Sequence, residues 1–303
     1  LFAFLILSCS SDTNNSETTP PDPTAANRQS LGASARAFLS AEEFTSMNVE
    51  IAYVDGFRPS ENTLNNLRSF FTARLNKPGG VRFTETVVPA TTVGALNRDE
   101  YVEIENDNRT VFNEGSELGV WVFFADENSE SDEGNSRILG TAYRNTSCII
   151  FGETLREFSR GITGPSLTQL ETITTEHEFG HLFGLVNLGT EMVRDHEDET
   201  ADDDGGATPN KHCDQENCLM YFQTVADATS TDMSGLPTFG EFCLDNAFIH
   251  ALITLCGLAV PNDFATISFI PSTSQTALTG PPAIIPVPLG ADLNLIFPAP
   301  SLP

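Results

Sequence analysis

Residues 177–181 read His-Glu-Phe-Gly-His, two imidazoles four positions apart with a carboxylate directly after the first. On an α-helix, side chains at i and i+4 leave the same face with Cβ atoms about 5–6 Å apart, so both can bind one zinc ion. Glu178 is then placed to take a proton from a water whose pKa zinc has lowered to about 7, giving a hydroxide that attacks a polarised carbonyl. The pattern is short, and at average composition it arises by chance in on the order of one chain in a hundred of this length. The competing account is a pair of surface histidines stabilised by a neighbouring glutamate. Gly184, shortly after His181, favours chemistry, because glycine adopts the left-handed turn that stops a helix and swings the chain back toward a metal.

The pair needs a helix, and the surrounding residues predict one. Ser166 with Gln169 forms a capping box, and Leu167, Leu170, Ile173, His177, His181 and Gly184 fall on or near one helical stripe, so the helix should run from Leu167 to Phe183. Before it, Val49–Val54 reads as a strand, with ordered structure beginning near Asn48 and Asp55-Gly56 ending the strand. Ser60 caps a helix to Asn76 that carries Leu64, Leu67, Phe71 and Leu75. Further strands are expected at Val81–Val88, Gly119–Ala125, Arg137–Tyr143 and Ser147–Phe151, the last two flanking a turn at Arg144-Asn145-Thr146. A second capping box, Thr238 with Glu241, should open a last helix through Cys243, Phe248 and Leu252 to Leu255. The order implies a mixed twisted sheet backed by helices, an α+β fold with an α/β-like sandwich of layers.

The chain has 303 residues, 40% of them hydrophobic, enough for a sizeable core in one or two domains. Its 42 acidic against 15 basic residues, a net charge of -27, exclude a nucleic-acid partner, since no basic patch is evident. Leu1–Leu7 is apolar and is followed by Ser8 and Cys9, which reads as the end of a signal peptide; Ile6-Leu7-Ser8-Cys9 resembles a bacterial lipobox with Cys9 as the lipidated residue. The expectation is therefore an exported protein of the bacterial cell envelope, anchored to the membrane by lipid, and the alternative is an ordinary cleaved signal. Residues 1–9 are read as the signal remnant and 10–46, rich in Ser, Thr, Asn and Pro, as a flexible linker. Residues 47–260 are read as the catalytic domain and 261–303 as a Pro-rich tail.

His177 to Gly184 resembles the first part of the metzincin signature HExxHxxGxxH, whose third histidine would fall at position 187, where this chain has Asn. Farther on stands Lys211-His212-Cys213-Asp214-Gln215-Glu216-Asn217-Cys218-Leu219-Met220. That segment looks like the HCxxxxCxM of the archaemetzincins (archaelysins), so the motif reads as split by an acidic insertion over 187–211. The resemblance implies a zincin fold with a Met-turn and a C-terminal helix, a zinc on His177, His181 and His212, and Met220 beneath the metal. His196 is the rival third ligand. It is flanked by Asp195 and Glu197, whose charge favours imidazolium, whereas a ligand must be neutral. By position before the helix, the strand at Cys148–Phe151 would be the edge that pairs with an extended peptide.

Archaemetzincins also carry a structural zinc on four cysteines. Here Cys213, Cys218 and Cys243 stand in plausible places, but the CxxC partner of Cys243 is replaced by Asn246. A second zinc or a disulfide among these three stays open, as does a Cys148–Cys256 disulfide. Cys148 as a nucleophile lacks a recognisable His partner motif. The acidic run Glu191, Asp195, Glu197, Asp198, Glu199, Asp202, Asp203 and Asp204 does not fit an EF-hand, because the alignment puts Lys211 at the bidentate glutamate position. It reads as a solvated loop, with calcium left open.

The reading is a zinc-dependent metallopeptidase, endopeptidase or aminopeptidase, that hydrolyses a peptide or protein substrate through a zinc-bound water activated by Glu178. The alternative, motivated by Asn187 and the broken cysteine set, is a catalytically inactive surface binding or adhesion lipoprotein on a zincin scaffold.

Overall fold

A computed structural model of the chain describes residues 22–92, 94–134, 137–161, 164–189, 192–199, 211–221 and 236–245. Cys9, Asn246, Cys256 and the Pro-rich tail lie outside the described residues. Five strands form one sheet: β1 (Ser46–Val54), β2 (Val81–Val88), β3 (Glu117–Ala125), β4 (Gly140–Arg144) and β5 (Ser147–Phe151). Their order is β2-β1-β3-β5-β4. All neighbours are parallel except the antiparallel pair β4 and β5. With helices on its faces, this is the mixed α/β-like architecture expected from the sequence.

Both faces of the central strands are covered, which is why β3 reads as a nearly continuous apolar run. One face meets α2 (Glu61–Arg74) and α5 (Leu167–Leu182), where Val49, Ile51, Val120 and Val122 pack with Leu67, Phe71, Leu170 and Ile173. The other carries Ala52, Trp121, Phe123 and Ile149 against Tyr101 of α3 (Arg98–Asn108). Two helices had no clear pattern in the sequence. One is α3, whose Asn97 cap and Glu100 form a capping box before a mostly charged segment; the other is α4 (Gly152–Ser159), which leaves β5 without a side-chain cap.

Three expectations are corrected. Residues up to 46 were read as linker, yet a 3-10 turn (Ala25–Asn27) and α1 (Ala35–Leu39) precede β1. Asn27 donates to the Gly119 carbonyl at 2.9 Å, and Phe38 packs its ring on Phe179 and Phe183 of the α5 region. Composition reports average burial and missed these few anchoring side chains. The strand 147–151 lies inside the sheet, between β3 and β4. The two-residue turn at Asn145–Thr146 folds β4 back as a hairpin, so β4 is the edge strand. Finally, helical residues begin at 241, with Leu244 N–H donating to Gly240 O, rather than directly after Thr238. Thr238 instead bridges Cys218, and the residues beyond 245, where the helix was expected to run on to Leu255, lie outside the described residues.

The hairpin turn is held by charge. Glu105 of α3 pairs with Arg109 at 2.7 Å and with Arg144 at 2.9 Å, and the Arg109–Glu105 pair is almost fully buried. Arg109 also donates to Gly119 O, Ser147 Oγ and Thr146 Oγ1. A buried guanidinium is tolerated when most of its donors are satisfied in this way.

Candidate metal centre

The α5 helix starts at the Ser166/Gln169 capping box and packs against β4 and β5, so that Glu178, between His177 and His181, meets the edge strand at Ala142. It stops in a Schellman arrangement: Gly184, at φ +75°, donates to His181 O at 3.0 Å and Leu185 donates to Gly180 O at 3.1 Å. Val186 and Asn187 follow in the same left-handed region, at φ +54° and +58°, a costly run for a β-branched residue. The chain is thereby turned sharply off the helix. Asn187 points its amide to Glu197 at 2.9 Å, and its place in the expected motif is not used for the metal cluster.

His212 comes back instead. Its ring centroid lies 5.2 Å from His177 and 5.1 Å from His181, and the first pair of rings is 4.9 Å apart. One nitrogen of each imidazole falls within 4.8 Å of the others. His196, the rival, is elsewhere, grouped with Cys213 and Cys243. Met220 is fully buried, with its sulfur against Gly180; a Cβ on Gly180 would stand 2.1 Å from Met220 Sδ.

The electrostatics suit a divalent metal. His177 Nδ1 and Leu219 O are 2.6 Å apart; with the carbonyl able only to accept, the proton sits on Nδ1 and Nε2 keeps its lone pair. Burial lowers the pKa of His177, and burial followed by the charges of His177 and His212 holds His181 well below the usual histidine value. Neutral imidazoles are what a metal requires. His181 Nδ1 is buried without a hydrogen-bond partner among the described residues, an orphaned polar atom of the kind that a bound ion or water satisfies. The donors therefore fit zinc on His177, His181 and His212.

Glu178, next to His177 on the same helix, turns its carboxylate to β4. Its Oε2 accepts from Ala142 N–H at 2.7 Å, and burial pushes the carboxyl up to about 8 while that amide pulls it down. A Cβ on Gly140 would approach Glu178 Oε1 at 3.0 Å and Thr174 Cγ2 at 2.9 Å. Gly140, Ala142 and Leu219 therefore support the site, and sequence reasoning missed all three. Nothing in the local pattern of Gly140 or Leu219 marks them. Gly180 carried a signal, since glycine inside a helix costs about 1 kcal/mol and needs a packing reason.

Four cysteines are described, all free and buried: Cys148, Cys213, Cys218 and Cys243. Cys148 sits within β5, and burial raises its thiol well above the ordinary value, which disqualifies it as a nucleophile. The acidic loop is also less solvated than expected. Glu197 and Asp198 are each 8% exposed, and Glu197 accepts from Asn187 and from the Lys211 backbone and is paired with the Lys211 ammonium.

No protein-family model matches the chain, and no curated protein matches it. Among solved structures, an archaemetzincin from Methanopyrus kandleri is similar, with 16% of residues identical, 68% of this chain and 96% of that chain covered, and a TM-score of 0.41.

Proposed function

We propose that the chain is a zinc-dependent peptidase whose metal is held by His177, His181 and His212. The observation that carries this reading is the triangle of three buried or half-buried imidazoles, with a buried carboxylate, Glu178, next in the chain to one of them. Bound there, zinc supplies a Lewis acid and lowers the pKa of water. Glu178, steered by the Ala142 amide, takes the proton from the attacking water and returns it to the leaving amine. The Leu219 carbonyl holds His177 in one tautomer and orientation. The outer edge of β4, next to Glu178, offers backbone groups to an extended peptide, which places the scissile bond near the carboxylate. The acidic balance and the Ile6–Cys9 segment favour an exported, lipid-anchored setting for this activity.

The test is a pair of measurements on purified protein. Glu178→Ala should abolish peptide hydrolysis and leave zinc content at the wild-type level, whereas His177→Ala should lose hydrolysis together with the zinc of this site. Loss of zinc in Glu178→Ala would show that the role is misassigned. A wild-type protein that binds zinc at the three histidines and hydrolyses no peptide would favour the binding-scaffold alternative.

A further inference from the structure

The hydroxyl of Thr174 is a buried donor for which the fold supplies no acceptor among the described residues. Thr174 stands one helical turn before Glu178 on α5, so the two side chains leave the same helix face. Both converge on the start of β4: a Cβ on Gly140 would meet Thr174 Cγ2 at 2.9 Å and Glu178 Cγ and Oε1 at 3.0 Å. Thr174 is only 4% exposed. Thr172, on the same helix, shows the ordinary way to satisfy such a group, donating back to Thr168 O at 2.7 Å. An unpaired buried hydroxyl lowers stability, and its retention calls for a reason. The neighbouring carboxylate offers one. The Ala142 amide holds Oε2 of Glu178, and Oε1 is the oxygen at the Gly140 end, next to Thr174.

We propose that Thr174 is a positioning residue for Glu178, its hydroxyl donating to Oε1 when the metal site is loaded. This role rests on the peptidase reading of Glu178. In a helix, threonine divides between two χ1 wells. Here the methyl faces Gly140, and a rotation that brings the hydroxyl to the methyl's place sets it against Oε1. A carboxylate oxygen has two lone pairs. With one taken by Thr174 the other is aimed, and the carboxylate plane is held at both ends, by Ala142 on Oε2 and by Thr174 on Oε1. Such a hold suits a group that takes a proton from water and passes it to the leaving amine, because the rate of proton transfer follows heavy-atom geometry. A hydroxyl can also accept, so the contact survives when Glu178 carries the proton. A polar group kept at a cost to stability beside a working carboxylate is the trade that function commonly imposes.

Thr174→Val keeps the shape and removes the hydroxyl, whereas Thr174→Ser keeps the hydroxyl and removes the methyl. On one quenched-fluorescence peptide that the wild-type full chain cleaves, Thr174→Val should lower kcat on the order of 10-fold, with KM and zinc content at wild-type levels. Thr174→Ser should retain most of the rate. The unfolding temperature of metal-free Thr174→Val should equal or exceed that of the wild type, since an unpaired buried hydroxyl is removed. Wild-type kcat in Thr174→Val would overturn the role and leave the Glu178 reading intact. A serine variant as slow as the valine one would do the same, because shape and not the hydroxyl would then be at stake. Loss of zinc in Thr174→Val would move the effect to the histidines and also overturn it. A crystal structure of the zinc-loaded protein decides the contact without any substrate: Thr174 Oγ1 bonded to Glu178 Oε1 supports the role, and Thr174 Oγ1 donating to Leu170 O refutes it. A wild type that cleaves no peptide fails the peptidase reading itself and takes this role with it.

Discussion

Substituting Gly180 by Ala sets two effects against each other with opposite signs. Alanine is favoured over glycine inside a helix by about 0.8–1.0 kcal/mol, so on propensity alone α5 should gain stability. The new Cβ, however, would stand 2.1 Å from Met220 Sδ and 3.1 Å from Phe239 Cε1. Met220 is fully buried and Phe239 nearly so, so although methionine is flexible there is little space for it to yield. Overpacking of this kind costs about 1–3 kcal/mol, which leaves a net loss of up to about 2 kcal/mol. The larger consequence falls on the metal site, because Leu219, which orients His177, and Cys213, which follows His212, are both tied to the Met220 segment. Zinc affinity should fall on the order of 10- to 100-fold, the range for disturbed supporting groups. Denaturant unfolding of the metal-free protein and chelator-competition titration measure the two effects. A Gly180→Ala variant that is more stable by about 1 kcal/mol, with wild-type zinc affinity, would refute the reasoning. In a Met220→Ala background, where the sulfur is gone, the same substitution should lose most of its cost.

Gly140→Ala should crowd Glu178 and Thr174; hydrolysis should drop with zinc content unchanged, as read by turnover and metal analysis. Lys77 donates to the carbonyls of Ala37, Ser40 and Phe44, so Lys77→Met leaves three acceptors without their donor and should cost about 1–3 kcal/mol in urea unfolding. Glu105→Gln strips two buried or half-buried arginines of their partner and should destabilise by about 3–5 kcal/mol; a loss below about 1 kcal/mol would show that the cluster is not needed to hold the β4–β5 turn. Burial raises the Glu171 carboxyl above 4.5, against the pull of Thr63 and Ser60. Its folded value exceeds the unfolded one, so its contribution is present below about pH 4.5 and lost as pH rises through the folded value. Glu171→Gln should therefore gain stability relative to wild type as pH rises above about 4.5; an opposite slope would refute the direction of the shift.

Local pattern alone determined where α5 lies, because its capping box and its apolar stripe are short-range signals that tertiary packing did not override. It also determined which strands exist, since runs such as Val120–Ala125 have few other places to go than a doubly covered sheet. The pair His177 and His181 follows from helix geometry with Glu178 between them. What the tertiary structure decided was everything that depends on chain segments meeting. His212 joins the histidine pair while His196 joins the cysteines, a division that flanking charge and motif likeness could argue for but not produce, since it depends on how the insertion folds back along residues 212–214. The anchoring of residues 25–39 rests on a few side chains, Asn27 and Phe38 among them, that composition averages away. The edge position of β4 arises because β5, and not β4, takes the place beside β3, and with it comes the Ala142 amide that aims Glu178. Spacing along a chain fixes which side chains share a helix face; only packing fixes which loops return to it.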